Sequence, residues 1–376
     1  MKKYIPEGVP CLVILGIIFG YLGSTMGVAN LMNTIMHTAF DLLVNTCFFL
    51  MAVCVITGAL GKILSKFGVV GLVEKMLRPL MRPLFNLPGT ASLGAVLTFL
   101  SDNPAIITLA HDNKFAKYFR KYQLISLTNF GTAFGMGLLV IVYMVGQGFS
   151  TAPFVGLLGS FFGCMVSTRL MQFFTCKAYP SYKEEMAIEV YTEEQVKAAK
   201  NPEPKSLFMR ILDAILDGGK EGVNIGMAII PGVLVISTTV MILTFGASAN
   251  GEFTGAAYEG VELLPWLADK LSVIFKWLFG FEDPHLVAFP ITALGAVGAA
   301  LSLVPNFLQQ GWINDNAIAV FTAIGMCWSG YLSTHTAMLD SLGYRQLTSK
   351  AITAHTIGGL VAGIVAHWVW VLVAMM

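Results

Sequence analysis

At 376 residues, 56% of them hydrophobic and only 12% charged, with a net charge of +1, the chain falls well short of the roughly one-quarter charged content of a soluble domain. Its mean hydropathy of +0.72 excludes an ordinary water-soluble fold. The absence of any Lys/Arg block interleaved with aromatics sets nucleic-acid binding aside.

Met1-Lys2-Lys3 and the apolar run from Pro10 to Leu22 have the outline of a signal peptide, but no small-x-small cleavage site follows. The segment therefore reads as a retained first span. Spans are expected at 9–22, 40–61, 122–146, 152–175, 224–247, 312–333 and 351–375, most of them near the ~20 helical residues that cross a hydrocarbon core. Two more apolar stretches, 88–111 and 286–311, are broken internally. The first reads Leu100-Ser101-Asp102-Asn103-Pro104 and the second Leu301-Ser302-Leu303-Val304-Pro305-Asn306. Proline removes a donor and disfavours helix in the residue before it. Each stretch is thus expected to be a re-entrant hairpin turning at its break, since irregular backbone is tolerated at depth only where protein or a wet cavity surrounds it. Amphipathic stretches at 66–84 and 263–279 precede the hairpins and suit helices lying in the interface. Segment 183–205, with six glutamates, lysines and two prolines, reads as a solvated tether.

The loop charges give a topology by the positive-inside rule. Lys62, Lys66, Lys75, Arg78 and Arg82 precede the first hairpin and Lys114, Lys117, Arg120 and Lys121 follow it, so both its ends are expected on the cytoplasmic side. Three intervening spans then put the second hairpin on the opposite face. The preceding loop agrees: Glu252, Glu259, Glu262, Asp269, Glu282 and Asp283 face only Lys270 and Lys276. The N-terminus is expected inside and the C-terminus outside.

The two halves match in sequence. Leu93-Gly94-Ala95-Val96 corresponds to Leu294-Gly295-Ala296-Val297, and the register runs without a gap to Pro104 and Pro305. Thr132-Ala133-Phe134-Gly135-Met136 pairs with Thr322-Ala323-Ile324-Gly325-Met326. The expected fold class is an all-α polytopic membrane protein of two inverted repeats, each with a re-entrant helical hairpin. Its parts are N-terminal spans (1–65), a first repeat (66–175), a cytoplasmic linker (176–222) and a second repeat (223–376). Repeats of this kind are a recurring transporter architecture, with substrate held near the midplane where broken helices converge.

These residues, 84–137 together with 218–244 and 289–334, resemble the Gate (nucleoside recognition) domain superfamily, and most closely its stand-alone bacterial members. That group includes concentrative nucleoside transporters, the membrane part of ferrous-iron transporters and spore maturation proteins. The Gln/Glu-rich hairpin tip of the nucleoside carriers and the G domain of the iron transporters are absent here. The resemblance implies a bacterial inner-membrane protein, a homo-oligomer in the lipid bilayer, that carries a small polar metabolite, nucleoside-like or an organic anion, by alternating access. A non-transporting scaffold of the spore-maturation type and a divalent-metal permease are the alternatives.

Ionisable groups within a membrane default to functional hypotheses. Asp102 is the leading candidate, as a ligand for a coupling ion (Na+ or H+), as an anchor for a cationic or hydroxyl-bearing substrate, or as an N-cap of the second half-helix. Ser101 and Asn103 flank it, and Ser302 and Asn306 stand at the paired break. Thr128, Asn129, Thr132, Thr322 and Ser329 offer donors and acceptors on the spans that follow the hairpins, where such residues also bridge helices. The six cysteines form no CxxC pair, and Cys47 and Cys54 read as packing residues. The histidines read as interfacial or packing residues. With no nucleophile–base pair, paired carboxylates or P-loop spacing, neither enzymatic chemistry nor a resident cofactor or metal site is expected.

Overall fold

A computed structural model describes residues 5–188 and 206–376, and among these it is built of helices, with no strand beyond one isolated bridge between Arg120 and Met186. The tether expected at 183–205 lies mostly outside the described residues. Seven helical segments are long and apolar enough to cross a membrane, in the order expected. The chain is a multi-pass membrane protein.

Helix α1 (Ile5–Met26) leads into α2 (Val28–Asp41), which continues through a π-helical turn at Leu42–Cys47 into α3 (Phe48–Lys66). The amphipathic helix α4 (Val69–Leu80) precedes the first hairpin, made of arms α5 (Ala91–Leu100) and α6 (Pro104–His111). After the short α7 (Asn113–Ala116), one span is broken into α8 (Lys121–Thr132) and α9 (Gly137–Gly146), and α10 (Ala152–Ala178) returns. The order then recurs. A long segment comprises α11 (Leu207–Gly232), a π turn and α12 (Thr238–Thr244); α13 (Leu263–Asp269) and α14 (Ser272–Phe279) are the second amphipathic pair. The second hairpin contains α15 (Ala288–Gly295), α16 (Val297–Leu301) and α17 (Val304–Gln309). A second broken span, α18 (Asp315–Trp328) with α19 (Tyr331–Ser341), and a last span, α20 (Thr348–Ala374), complete the chain.

Two boundaries differ from expectation. Residues 207–222, placed in the linker by their charges, belong to α11. Ser206 caps it by accepting from Met209 N, and its glycines lie on α3. The segments Val28–Lys66 and Leu207–Thr244, of 39 and 38 residues, are nearly twice the length a bilayer needs. They lie side by side along a glycine seam: a Cβ on Gly58 would fall 2.4 Å from Gly218 O, and one on Gly222 2.3 Å from Cys54 O. In lipid, helices gain little from burying apolar surface against one another, so close backbone approach by small residues supplies the attraction. The pair α10 and α20 is closed in the same way, Gly163 on Gly358 O and Gly159 on Ala362 O.

The two broken spans form the centre. Their most apolar windows are 89% and 83% buried, against 17–50% for the other five. Protein therefore surrounds the irregular backbone that lipid would not tolerate. Contacts along α18–α19 locate the hairpins. His111, at the end of the first hairpin, bonds Ser341 at 2.8 Å, whereas Phe279 and Gly280, just before the second, accept from Asn316 at 2.8 and 3.2 Å. The bases of the two hairpins thus sit at opposite ends of one span. Lys121, over the Tyr182 ring that packs on Tyr344, and Arg345, beside Asp340, make the Ser341 end the basic end of the span. The loop before α13, at the other end, is clasped to α2 through Asn30 to Phe253 O and His37 to Gly255 O. Within it, burial pushes the Glu259 carboxyl up, but bonds from the Thr254 hydroxyl and the Thr254, Gly255 and Ala256 amides outweigh this and hold it below the usual range.

Candidate functional site

The first hairpin turns where the sequence breaks. Ser101 leaves the helical region at φ −130°, ψ −110°, and Pro104 opens α6 at a position where its missing N–H costs nothing. Asp102 accepts from Asn103 N at 2.7 Å, which fixes the tip as a tight acid–amide corner.

The second hairpin turns elsewhere. The register with the first hairpin places its tip at Ser302–Asn306, but the chain reverses at Ala296, whose φ −164° and ψ 129° are extended between two helices. Gly295 O lies against Gly330 and Val297 against Gly325, so α15 runs inward and α16 runs back. Pro305 merely starts α17, where proline is well placed. Ser302 is fully buried and donates to Ser237 Oγ and Ala299 O, and Asn306 stands within hydrogen-bonding reach of the Tyr258 hydroxyl, which donates to Asp41. Neither reaches the first tip.

Both tips close on the helix breaks. Asn103 Nδ2 donates to Ser329 O at 3.1 Å, and Gly330 N donates to Ala293 O at 3.2 Å. Ser329 and Gly330 are left-handed, at φ 33° and 72°, and Met136 at φ 57° marks the break of the first span. Gly135 is required there: a Cβ would fall 1.8 Å from Asn103 Oδ1. The backbone groups that the breaks release find partners, Ala133 O from Ser160 at 2.7 Å and Cys327 O from His355.

Between tips and breaks lies a cavity of about 200 Å³, with Asp102, Asn103, Ala296, Ser329, Ser333 and Thr334 in its walls and Ile229 and Gly232 of α11 closing one side. Asp102 is the one ionisable side chain among the lining residues. Asn103 Oδ1 and Ser329 Oγ are buried without a hydrogen-bond partner. Orphaned polar atoms of this kind mark a place where water, an ion or a solute completes the set. No group of three or more His, Cys, Asp or Glu suited to a metal occurs among the described residues.

Of the residues singled out from sequence, Asp102, Asn103 and Ser329 line this cavity and the others do not. Ser101 Oγ bonds Leu97 O, Thr128 bonds Ile125 O, and Thr132 bonds Thr128 O. Thr322 packs against Gly156 of α10. Asn129 donates to Ser167 Oγ and to Ala351 O, both at 3.0 Å, and Ser167 bonds His355 Nδ1 at 2.8 Å. That chain ties α8, α10 and α20 together. Asn129→Ala is therefore expected to cost roughly 1–3 kcal/mol of stability, the usual penalty for orphaning buried groups, read as a lower melting temperature. Gly330, Ser333, Thr334 and the run Gly295–Gly298 were not anticipated. A Ser-Gly pair inside an apolar span, a common kink signal, was the available clue for the first of these.

Residues 53–148 match the family model described as Gate, nucleoside recognition. The chain is 25% identical over 244 residues to an uncharacterised protein of Alkalihalophilus pseudofirmus, and spans about half (51%) of that relative's length. Among solved structures it is similar to CNTnw in an inward-facing, substrate-bound state (TM-score 0.55, 13% identity, 97% of this chain and 86% of that one). It is equally similar to a CNTnw variant in an outward-facing state (TM-score 0.56, 14% identity, the same coverages). The chain is a multi-pass membrane protein with a segment that matches the Gate nucleoside-recognition model and a fold similar to that of the CNTnw structures.

Proposed function

We propose that this protein is a secondary transporter of a small polar solute, nucleoside-like in its hydroxyl and amide chemistry. The solute is held between the two hairpin tips and released to either side by alternating access. The observation that carries this reading is the convergence of both tips and both helix breaks on one cavity whose lining residues include Asp102, Asn103, Met136, Ala296 and Ser329. The opposed bases of the hairpins and the recurrence of the element order support an inverted repeat, in which gating of one half against the other exposes the site to each side in turn.

Asp102 would anchor a solute hydroxyl or a coupling cation, Na+ or H+. At about 200 Å³ the cavity is below the 300–1,000 Å³ of usual ligand pockets, so the tips part to admit the solute and close over it. On this reading the basic end would face the cytoplasm of a bacterial cell, as the positive-inside rule favours, and the chain would work as a homo-oligomer in the inner membrane.

The test is a melting-temperature screen of the purified protein against nucleosides and organic anions, with sodium or potassium and at two pH values. A ligand that binds only the native state raises apparent stability, by about 2.7 kcal/mol at a hundred times its Kd. A shift with a nucleoside, enlarged by sodium or by low pH, is the expected outcome. No shift with any solute under any ion would remove the transport reading.

A further inference from the structure

A second cavity, of about 460 Å³, lies away from the site on the lipid-facing flank of the first hairpin. Its walls are apolar throughout: Val73 and Leu77 follow the inner face of α4, Met81 starts the turn after it, Val96 and Phe99 belong to α5, and Phe154 and Leu158 belong to α10. Phe154 and Leu158 are 55% and 43% exposed, so the slot opens sideways to where lipid chains lie. It also has length. It starts beside α4 at the basic end and runs up α10 to Phe154, two residues from that helix's opposite end. A smaller cavity of about 270 Å³ occupies the matching place in the second half, between α14, α15, α18 and α20.

Cationic side chains stand near the slot on α4, on the turn after it and on α10. Arg82 is exposed in the turn that follows α4 and Lys75 on the outer face of α4, and neither has an ion pair among the described residues. Arg169 of α10 reaches the same corner, holding Leu84 O at 2.9 Å and Pro83 O at 2.7 Å. The nearby acid, Glu74, is already engaged by Arg78 at 2.8 Å. A narrow apolar slot that runs along α10 and has unpaired cations near one end suits a phospholipid with an anionic head.

We propose that this slot is a binding site for one acyl chain of an anionic phospholipid, with its headgroup at Lys75, Arg82 and Arg169. Clusters of Lys and Arg at a membrane surface attract anionic lipid, and a dry apolar cavity gains from being filled by hydrocarbon. The occupant would brace α4 against α5 and α10, beside the first hairpin but outside the solute cavity.

The full-length protein in mild detergent, supplied with palmitoyl-oleoyl phosphatidylglycerol or the matching phosphatidylcholine, would be measured by native mass spectrometry. One retained phosphatidylglycerol per chain is expected, held about tenfold more strongly than phosphatidylcholine. Leu157→Trp, which fills the slot from a half-buried position, should reduce retention of both lipids about tenfold. Lys75→Gln with Arg82→Gln should bring phosphatidylglycerol down to the phosphatidylcholine level. Phosphatidylglycerol should also raise the melting temperature of the wild type and not of Leu157→Trp, and a cooperative melt of that variant shows that it has folded. Equal retention of the two lipids by the wild type, or undiminished retention by folded Leu157→Trp, overturns the proposal. So does a change of oligomeric mass in Leu157→Trp with lipid retention intact, which would mean that a second copy of the chain covers the slot.

Discussion

Asp102→Asn is expected to reduce solute uptake into proteoliposomes by about ten- to hundredfold, the range that corresponds to losing a hydrogen bond to a charged group worth roughly 1.5–3 kcal/mol. The substitution keeps the shape of the corner, because the new side-chain oxygen still accepts from Asn103 N, the bond that the carboxylate makes at 2.7 Å. Asn103 also keeps its bond to Ser329 O. What disappears is the charge, the one ionisable side chain in the walls of the cavity. Melting temperature and oligomeric mass should therefore stay near wild type while uptake falls. If Asp102 binds the coupling cation, any residual uptake should also lose its dependence on the sodium or pH gradient. If it instead anchors a solute hydroxyl, gradient dependence persists and apparent affinity falls. Uptake at the wild-type rate by the Asn variant would mean that the tip is structural and that the solute passes elsewhere.

The largest loss of stability is expected at the seam of the two long helices. Gly222→Val places a Cβ 2.3 Å from Cys54 O, a backbone atom that cannot turn aside as a side chain can. Overpacking in a close-packed interior costs about 1–3 kcal/mol where side chains can adjust, and here the helices themselves must part. In lipid that separation forfeits close van der Waals contact along the whole seam, with no hydrophobic gain to replace it. The variant should lose most of its cooperatively melting fraction. Gly219→Val is the control one residue away, since its Cβ would meet only Val55 Cγ1 at an ordinary 3.6 Å. It should melt within about 0.5 kcal/mol of wild type. Equal behaviour of the two variants would show that the seam is not where the pair is held.

Hydrophobic runs and loop charges carried the span count and the order of elements, because a bilayer imposes those on any sequence that crosses it. The first tip was legible for the same reason: Asp102, Asn103 and Pro104 are expensive in the middle of an apolar stretch and had to mark a turn. The second tip was not. Its residues, Gly295, Ala296, Val297 and Gly298, look like ordinary apolar helix, and the turn is created by the neighbours into which they fit, Gly330 and Ile229 among them. The more visible Pro305 points instead to Ser302 and Asn306, beyond the turn at Ala296, although a proline at the start of a helix needs no hairpin to explain it. Likewise Thr128, Asn129 and Thr132 carry the right chemistry for a site and spend it on neighbouring helices. Composition shows that a polar side chain is present within the bilayer. Only packing shows which way its donors point.

The bare second tip gives the cavity two walls of different kinds. If the proposed function holds, recognition at the first tip and Ser329 would rest on side chains, and substituting them would change what is accepted. At Ala296 it rests on main chain, whose amides and carbonyls are the same whatever residue stands there. A single substitution on that side can add bulk but cannot exchange a donor for an acceptor. Changes of solute preference among proteins of this design should accumulate around Asp102, Asn103, Ser333 and Thr334, while the Gly295–Gly298 wall stays small and chemically constant.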